Sequence, residues 1–193
     1  VNNVIINKCG TVGYENKNAV IIQGHMDMVC EKTKDSKHNF RKDAIEFIVE
    51  GDILRANNTT LGGDDGIAVA MGLALLDSKN IPHPPIEFLA TTSEETGMDG
   101  ALAITGEHFK AKTLINIDSE EEGIFLVSCA GGLNTITEFE IKRESLKENF
   151  ESLKIEISGL KGGHSGIEIN KQRANAIKIL GRLLYAVKKD ICL

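Results

Sequence analysis

Short apolar segments that alternate with a helical pattern constrain the fold of this chain more than any other feature. "AVIIQGHMD", "PIEFLATTSEE" and "TLINID" are brief apolar runs, and between the first two the apolar residues from 67 to 75 recur at helical spacing. Runs that are short and apolar throughout are typical of strands buried on both faces of a sheet. This order of segments predicts an α/β fold with a mixed, largely parallel sheet and flanking helices.

The residue pattern changes near position 132. "LNTITEFEIKRE" and "SLKIEISGL" alternate apolar and polar residues, as strands with one exposed face do, and "KGGHSG" then leads into a helical segment. We therefore predict a first domain at 1–131 and a second, α+β domain at 132–193. A hairpin is also predicted in "AIEFIVEGDILRA", with its turn at Gly51 and Asp52.

Charge and composition argue against several classes of partner. The net charge of −6 does not favour nucleic acid, because phosphate binding needs clustered lysine and arginine. No apolar stretch approaches the roughly 20 residues of a membrane span. The 4 cysteines are scattered without a C-x-x-C pair, which predicts reduced thiols and a cytoplasmic location. The chain begins at Val1 in a strand-like segment, so we expect a piece of a longer protein.

Acidic and imidazole side chains occur where the apolar segments end. In open α/β sheets, ligands bind at the carboxyl ends of the strands. The residues in question are His25 and Asp27 after the first run, Asp64 before the helix, Glu94 and Glu95 after the next run, and Asp118 after the last. The pattern predicts that these side chains meet at one edge of the sheet.

Each of these residues also has an ordinary structural explanation. A histidine after a strand is usually a hydrogen-bonded structural residue. An aspartate before a helix is usually an N-cap, and Asp64 or Asp65 is suited to that role. A Glu-Glu pair is usually part of a solvated turn. Four such positions at one edge would nevertheless bring together carboxylates that repel one another unless they are protonated or neutralised. A pair of divalent cations would neutralise them, and a histidine–carboxylate ligand set fits zinc, with manganese or cobalt as alternatives.

Five motifs occur in an order that resembles a known enzyme family. They are "GHMDMV", "TTLGGDDGIAVAMGLALL", "TTSEETGMDGA", "LINIDSEEEG" and "GLKGGHSG". Together they resemble the di-zinc exopeptidases that include carboxypeptidase G, peptidase T and aminoacylase, and within that group the aminoacyl-histidine (Xaa-His) dipeptidases. The resemblance extends over about residues 20–175. It implies that 1–131 is the N-terminal part of a catalytic metallopeptidase domain and that 132–193 is part of a lid or dimerisation domain, through which a homodimer would form.

The resemblance also implies a role for each candidate residue. His25, Asp64 and Asp118 would hold one zinc, and Asp64 would bridge to a second zinc that Glu95 also binds. Asp27 would orient His25. Glu94 would be the general base for a metal-bridging water that attacks the scissile carbonyl. His164 of "KGGHSG" would bind the substrate or the tetrahedral oxyanion. The expected reaction is the metal-dependent hydrolysis of dipeptides, of the Xaa-His class.

One part of the family pattern is absent from this chain. The family takes the last ligand of its second zinc from a histidine near the end of a much longer chain, and no histidine follows His164 here. We therefore expect an incomplete second metal site and little or no activity from these 193 residues alone. An N-acyl amino acid deacylase, a tripeptidase and a non-catalytic metal-binding relative are the alternatives. The presence of Glu94 argues against the last, because binding needs ligands but no base.

Overall fold

The computed structural model describes residues 2–119, 121–129, 131, 133, 135–145, 152–163 and 168–191. The chain divides into two compact units, 1–131 and 132–193, and each is described by itself. Among the described residues, no helix combines the length and the apolar character that a membrane crossing requires.

The first unit contains six strands and two α-helices among its described residues. In chain order they are β1 (Val4–Lys8), β2 (Val20–His25), β3 (Phe47–Glu50), β4 (Ile53–Ala56), α1 (Gly63–Asp77), β5 (Ile86–Thr91), α2 (Asp99–Leu102) and β6 (Thr113–Asn116), with a 3-10 turn at Gly106–His108 before β6. The predicted hairpin is confirmed, since β3 pairs antiparallel with β4 around Gly51 and Asp52.

Four strands form the main sheet in the order β1-β5-β2-β6. β2 runs parallel to both β5 and β6, whereas β1 is antiparallel to β5. This confirms the predicted mixed, largely parallel sheet. All six residues of β5 are buried, which explains why its sequence is almost continuously apolar. Because β2, β5 and β6 are parallel, their carboxyl ends lie at the same edge of the sheet.

Two glycines allow α1 to pack directly on the sheet. A Cβ at Gly72 would lie 2.1 Å from the ring of Phe88 in β5, and a Cβ at Gly24 in β2 would lie 2.5 Å from the Cβ of Ala68 in α1. Interiors are close-packed, so neither contact leaves room for a side chain. The first turn of α1 is consequently held against the end of β2.

The second unit contains a 3-10 turn at Ile169–Lys171 and the helix α3 at Ala176–Ile191. The alternating segments at 133–144 and 152–160 differ from their prediction, because no strand occurs in them among the described residues. Most of their apolar side chains are exposed, Ile136 and Leu153 among them, whereas Ile157 is half-buried. A strand requires a paired neighbour to be stable, and the described residues of this unit supply none.

Candidate metal centre

His25 is the last residue of β2, and its imidazole is the centre of a cluster of acidic side chains. The residue is 1% exposed. Its Nε2 lies 3.1 Å from Asp64 Oδ1, 3.8 Å from Asp118 Oδ1 and 3.9 Å from Glu94 Oε2. The edge of the sheet therefore brings together residues at or just after the ends of three different strands and one residue in the first turn of α1.

The two nitrogens of the His25 ring have separate surroundings. Nδ1 lies 2.9 Å from the backbone carbonyl oxygen of Asp27, which can only accept, so Nδ1 carries a proton. Nε2 faces the carboxylate of Asp64, also an acceptor. Without a metal, both contacts are satisfied only when the ring is protonated. A cation placed between Nε2 and the carboxylates would replace that proton, which is the arrangement of a metal-ligating histidine.

Two groups of side chains have the spacing of a metal site. His25, Asp64 and Asp118 offer ligand atoms that all lie within 4.8 Å of one another, and so do His25, Glu94 and Glu95. The two groups share the imidazole of His25. A donor set of imidazole and carboxylate oxygens suits zinc and related divalent ions, so the residues present fit the metal that the motifs implied.

The pKa values of the cluster reflect burial and mutual repulsion. Burial, followed by the charge of Asp65, raises the pKa of Asp118 to about 6. Burial and then the charge of Glu94 raise the pKa of Glu95. For His25, burial lowers the pKa, but the hydrogen bond to Asp64 and the charge of Asp118 outweigh it, so that its pKa is raised. These shifts all favour the less negative form of the site, and a bound cation would relieve the same repulsion.

Asp65 has a role at the site that the sequence did not predict. Its side chain accepts a hydrogen bond from the backbone N–H of His25, at 3.0 Å from Oδ2, and the residue is 1% exposed. Burial raises its pKa. Gly24 makes this contact possible, because a Cβ there would lie 2.6 Å from Asp65 Oδ2. Glycine directly before the histidine was the available signal.

Asp27 contacts the cluster through both its backbone and its side chain. Its carbonyl accepts from His25, as described above. Its carboxylate accepts hydrogen bonds from the backbone N–H groups of Glu94 and Glu95, both at 3.1 Å. The carboxylate lies 3.6 Å from His25 Nδ1, which is longer than a hydrogen bond. The family role of Asp27, orienting His25 through its carboxylate, stays a prediction.

A cavity of about 220 Å³ adjoins the acidic cluster. Glu94, Asp118 and Thr92 form part of its wall, and the remainder combines apolar side chains with the polar Gln23, Thr91 and Asn116. Those three are joined by hydrogen bonds of 3.2 Å from Gln23 to Thr91 and 2.6 Å from Asn116 to Gln23. The cavity gives a small molecule access to the carboxylate of Glu94. The remaining predicted site residue, His164, lies outside the described residues.

Comparison with known proteins identifies two dipeptidases that match nearly the whole chain. Cytosol non-specific dipeptidase of Escherichia coli K12 is 45% identical over 191 residues, which are 99% of this chain and 39% of that protein. The crystal structure of aminoacylhistidine dipeptidase from Vibrio alginolyticus matches with a TM-score of 0.62 and 37% identity, over 97% of this chain and 38% of that chain.

The chain is homologous to these dipeptidases. The resemblance predicted from the motifs is thereby confirmed, as is the α/β fold. No family model matches the chain. The chain spans about two fifths of the length of the two relatives.

Proposed function

We propose that the parent polypeptide, meaning the longest natural polypeptide that contains this chain, is a metal-dependent dipeptidase. The observation that carries the proposal is the arrangement around His25. Ligand atoms of Asp64 and Asp118 converge on its Nε2 within 4.8 Å of one another, and Glu94 Oε2 lies 3.9 Å from the same nitrogen. A ligand set with a further carboxylate beside it is what metal-assisted hydrolysis needs. The names of the two homologues support peptide hydrolysis as the reaction.

Two divalent ions are proposed, with zinc favoured and manganese or cobalt as alternatives. His25, Asp64 and Asp118 would hold one ion. Asp64 and Glu95 would hold the other together with a ligand from outside this chain. The charge of Asp64 contributes to the raised pKa of Glu95, which supports this pairing. Ions bound there would polarise the scissile carbonyl and lower the pKa of the attacking water.

The protein side chains would handle the proton and hold the geometry. Glu94 would accept a proton from the attacking water and deliver it to the amine that leaves. Its carboxylate lines the cavity, so it can reach a molecule bound there. Asp65 would keep His25 beside Asp64 through the hydrogen bond to the His25 N–H. His164 is proposed to contact the substrate.

The proposed substrates are dipeptides, with Xaa-His dipeptides first. One homologue is named for aminoacylhistidine substrates and the other as non-specific. The panel of substrates must therefore distinguish a preference for Xaa-His dipeptides from the cleavage of dipeptides in general. A cytosolic location is proposed from the name of the Escherichia coli relative. A homodimer through the second unit is also proposed, with no nucleic acid or membrane partner.

A substrate panel with metal removal tests the proposal. The purified parent polypeptide is assayed with β-Ala-His, Gly-His, a dipeptide without histidine, a tripeptide and an N-acetyl amino acid, before and after chelation and after zinc is restored. We expect cleavage of dipeptides that chelation abolishes and zinc restores. Exclusive cleavage of the tripeptide or the N-acetyl amino acid would establish one of the alternative hydrolases. Dipeptide cleavage that survives complete metal removal would contradict the proposed mechanism.

A further inference from the structure

The carboxylate of Asp27 connects the end of β2 to the segment that follows β5. Asp27 Oδ1 accepts the N–H of Glu94 and Oδ2 accepts the N–H of Glu95, each at 3.1 Å. We propose that Asp27 is a positioning residue whose carboxylate holds the backbone of Glu94 and Glu95, and so fixes where those two side chains lie relative to His25. What Glu94 and Glu95 then do rests on the proposed function.

The backbone before Glu94 is shaped for this contact. Ser93 has φ of 61°, a left-handed conformation that a residue with a side chain rarely adopts. Consecutive N–H groups beside a left-handed residue form a concavity that binds anions, and here the anion is the Asp27 carboxylate. The loop is closed by hydrogen bonds from Met98 N–H to Ser93 O at 2.6 Å and from Gly97 N–H to Glu94 O at 3.4 Å. The Asp27 side chain is 27% exposed, so solvent only partly competes for its oxygens.

The backbone and the side chain of Asp27 hold different parts of the cluster. The His25 ring is held through the Asp27 carbonyl, which every substitution at position 27 retains. The Glu94 and Glu95 amides are held through the carboxylate, which a substitution removes. Since His25 is proposed to hold the ion that Asp64 and Asp118 also bind, a loss of ring orientation would weaken the binding of that ion. Loss of the carboxylate should instead loosen the side that contains Glu94 and Glu95.

Hydrogen exchange in the metal-free parent polypeptide tests the contact itself. Exchange is followed by mass spectrometry in the segment 92–98 and in the segment 20–26 for the native protein, Asp27→Ala and Asp27→Asn. Asp77→Ala removes an exposed carboxylate at the end of α1 and is the matched control. We expect exchange in 92–98 to become about tenfold faster in both Asp27 variants, with 20–26 unchanged and the control native-like. Unchanged exchange in 92–98, or equal acceleration in both segments, would overturn the proposal.

Metal titration of the same variants tests the consequence for the site. Calorimetric titration with zinc, with the absorption spectrum of cobalt as a second readout, gives the affinity of each ion. We expect the ion held by His25, Asp64 and Asp118 to bind Asp27→Asn as it binds the native protein. The ion held by Glu95 should lose about 10–100-fold in affinity, the range seen when partners that orient ligands are removed. Equal weakening of both ions would overturn the proposal and assign Asp27 to His25 instead. Hydrogen exchange is measured without catalysis. A failure of the dipeptidase assay is therefore distinguishable from a failure of the role proposed for Asp27.

Discussion

The side chain of Asp65 accepts a hydrogen bond from the backbone N–H of His25, with 3.0 Å between the His25 nitrogen and Oδ2. This bond ties the end of β2 to the start of α1, two elements that are 40 residues apart at this contact. Asp64 precedes Asp65 directly, so the same bond sets the 3.1 Å separation between Asp64 Oδ1 and His25 Nε2. The geometry of the candidate metal centre therefore depends on how closely α1 approaches the sheet.

Substitution of Gly24 tests that dependence. In Gly24→Ala the new Cβ would lie 2.5 Å from Ala68 Cβ and 2.6 Å from Asp65 Oδ2, so α1 must move away from β2. Overpacking of this kind costs about 1–3 kcal/mol. We expect a lower denaturant midpoint and weaker zinc binding. Gly66→Ala is the control, because nothing lies within 4 Å of its Cβ, and it should leave the midpoint unchanged or slightly higher. Equal effects of the two substitutions would contradict this account of the packing.

Replacement of Glu94 tests the general base. Glu94→Gln keeps an oxygen near His25 but removes the carboxylate that accepts the proton. We expect dipeptide turnover in the parent polypeptide to fall by about 10²–10⁴-fold while the zinc content stays native. The matched control is Glu107→Gln, which changes an exposed glutamate in the 3-10 turn and should retain native turnover. Native turnover in Glu94→Gln would show that another group accepts the proton.

The stability of the metal-free protein should fall as pH rises. The folded pKa of Asp118 is about 6, above its ordinary value of 3.8, so the folded state binds more protons than the unfolded state between these pH values. The raised pKa values of Asp65, Glu95 and His25 act in the same direction. The contribution of Asp118 is thus fully present below pH 3.8 and is lost as the pH rises through about 6.

Thermal unfolding in chelator measures this effect. Midpoints at several pH values between about 4 and 7.5 are compared for the native protein and Asp118→Asn. We expect the unfolding midpoint to decline as the pH rises, and to decline less steeply in the variant. Addition of zinc above pH 6 should raise the midpoint of the native protein back to its value at low pH. Identical slopes in the two proteins would refute the assignment of the decline to Asp118.

The chain of 193 residues should be a poor enzyme on its own. The resemblance implies that one ligand of the second metal is a histidine beyond His164, and this chain contains none there. We expect its dipeptide turnover to be negligible beside that of the parent polypeptide under the same metal conditions. Comparable rates for the two would contradict the expectation that the second metal site needs a further ligand.

The sheet and the positions of the candidate ligands could be predicted because they depend on local patterns. The apolar runs define β2, β5 and β6, and parallel strands necessarily place His25 and Asp118 at one edge. The hydrogen bonds of Asp27 and Asp65 could not be predicted in this way. They join residues 67 and 40 positions apart, and they depend on the close approach at Gly24 and on the left-handed Ser93.

The strands predicted in the second unit from alternating apolar and polar residues are not observed among its described residues, for a related reason. A period of two identifies a segment that can form a strand, whereas the strand itself requires a neighbour to pair with. Leu153 is 87% exposed and Ile136 is 89% exposed, so neither segment buries the face that its sequence pattern provides. The helix α3 needs no partner for its hydrogen bonds, and it overlaps the helical segment predicted after "KGGHSG".

Anomalous diffraction from zinc-loaded crystals of the parent polypeptide tests the central claim most directly. Data collected on either side of the zinc absorption edge locate the metal without reference to activity. The account predicts a peak about 2.0–2.2 Å from His25 Nε2 and from carboxylate oxygens of Asp64 and Asp118, and its loss in His25→Ala. A zinc peak at other residues, or one that persists at this position in His25→Ala, would contradict it.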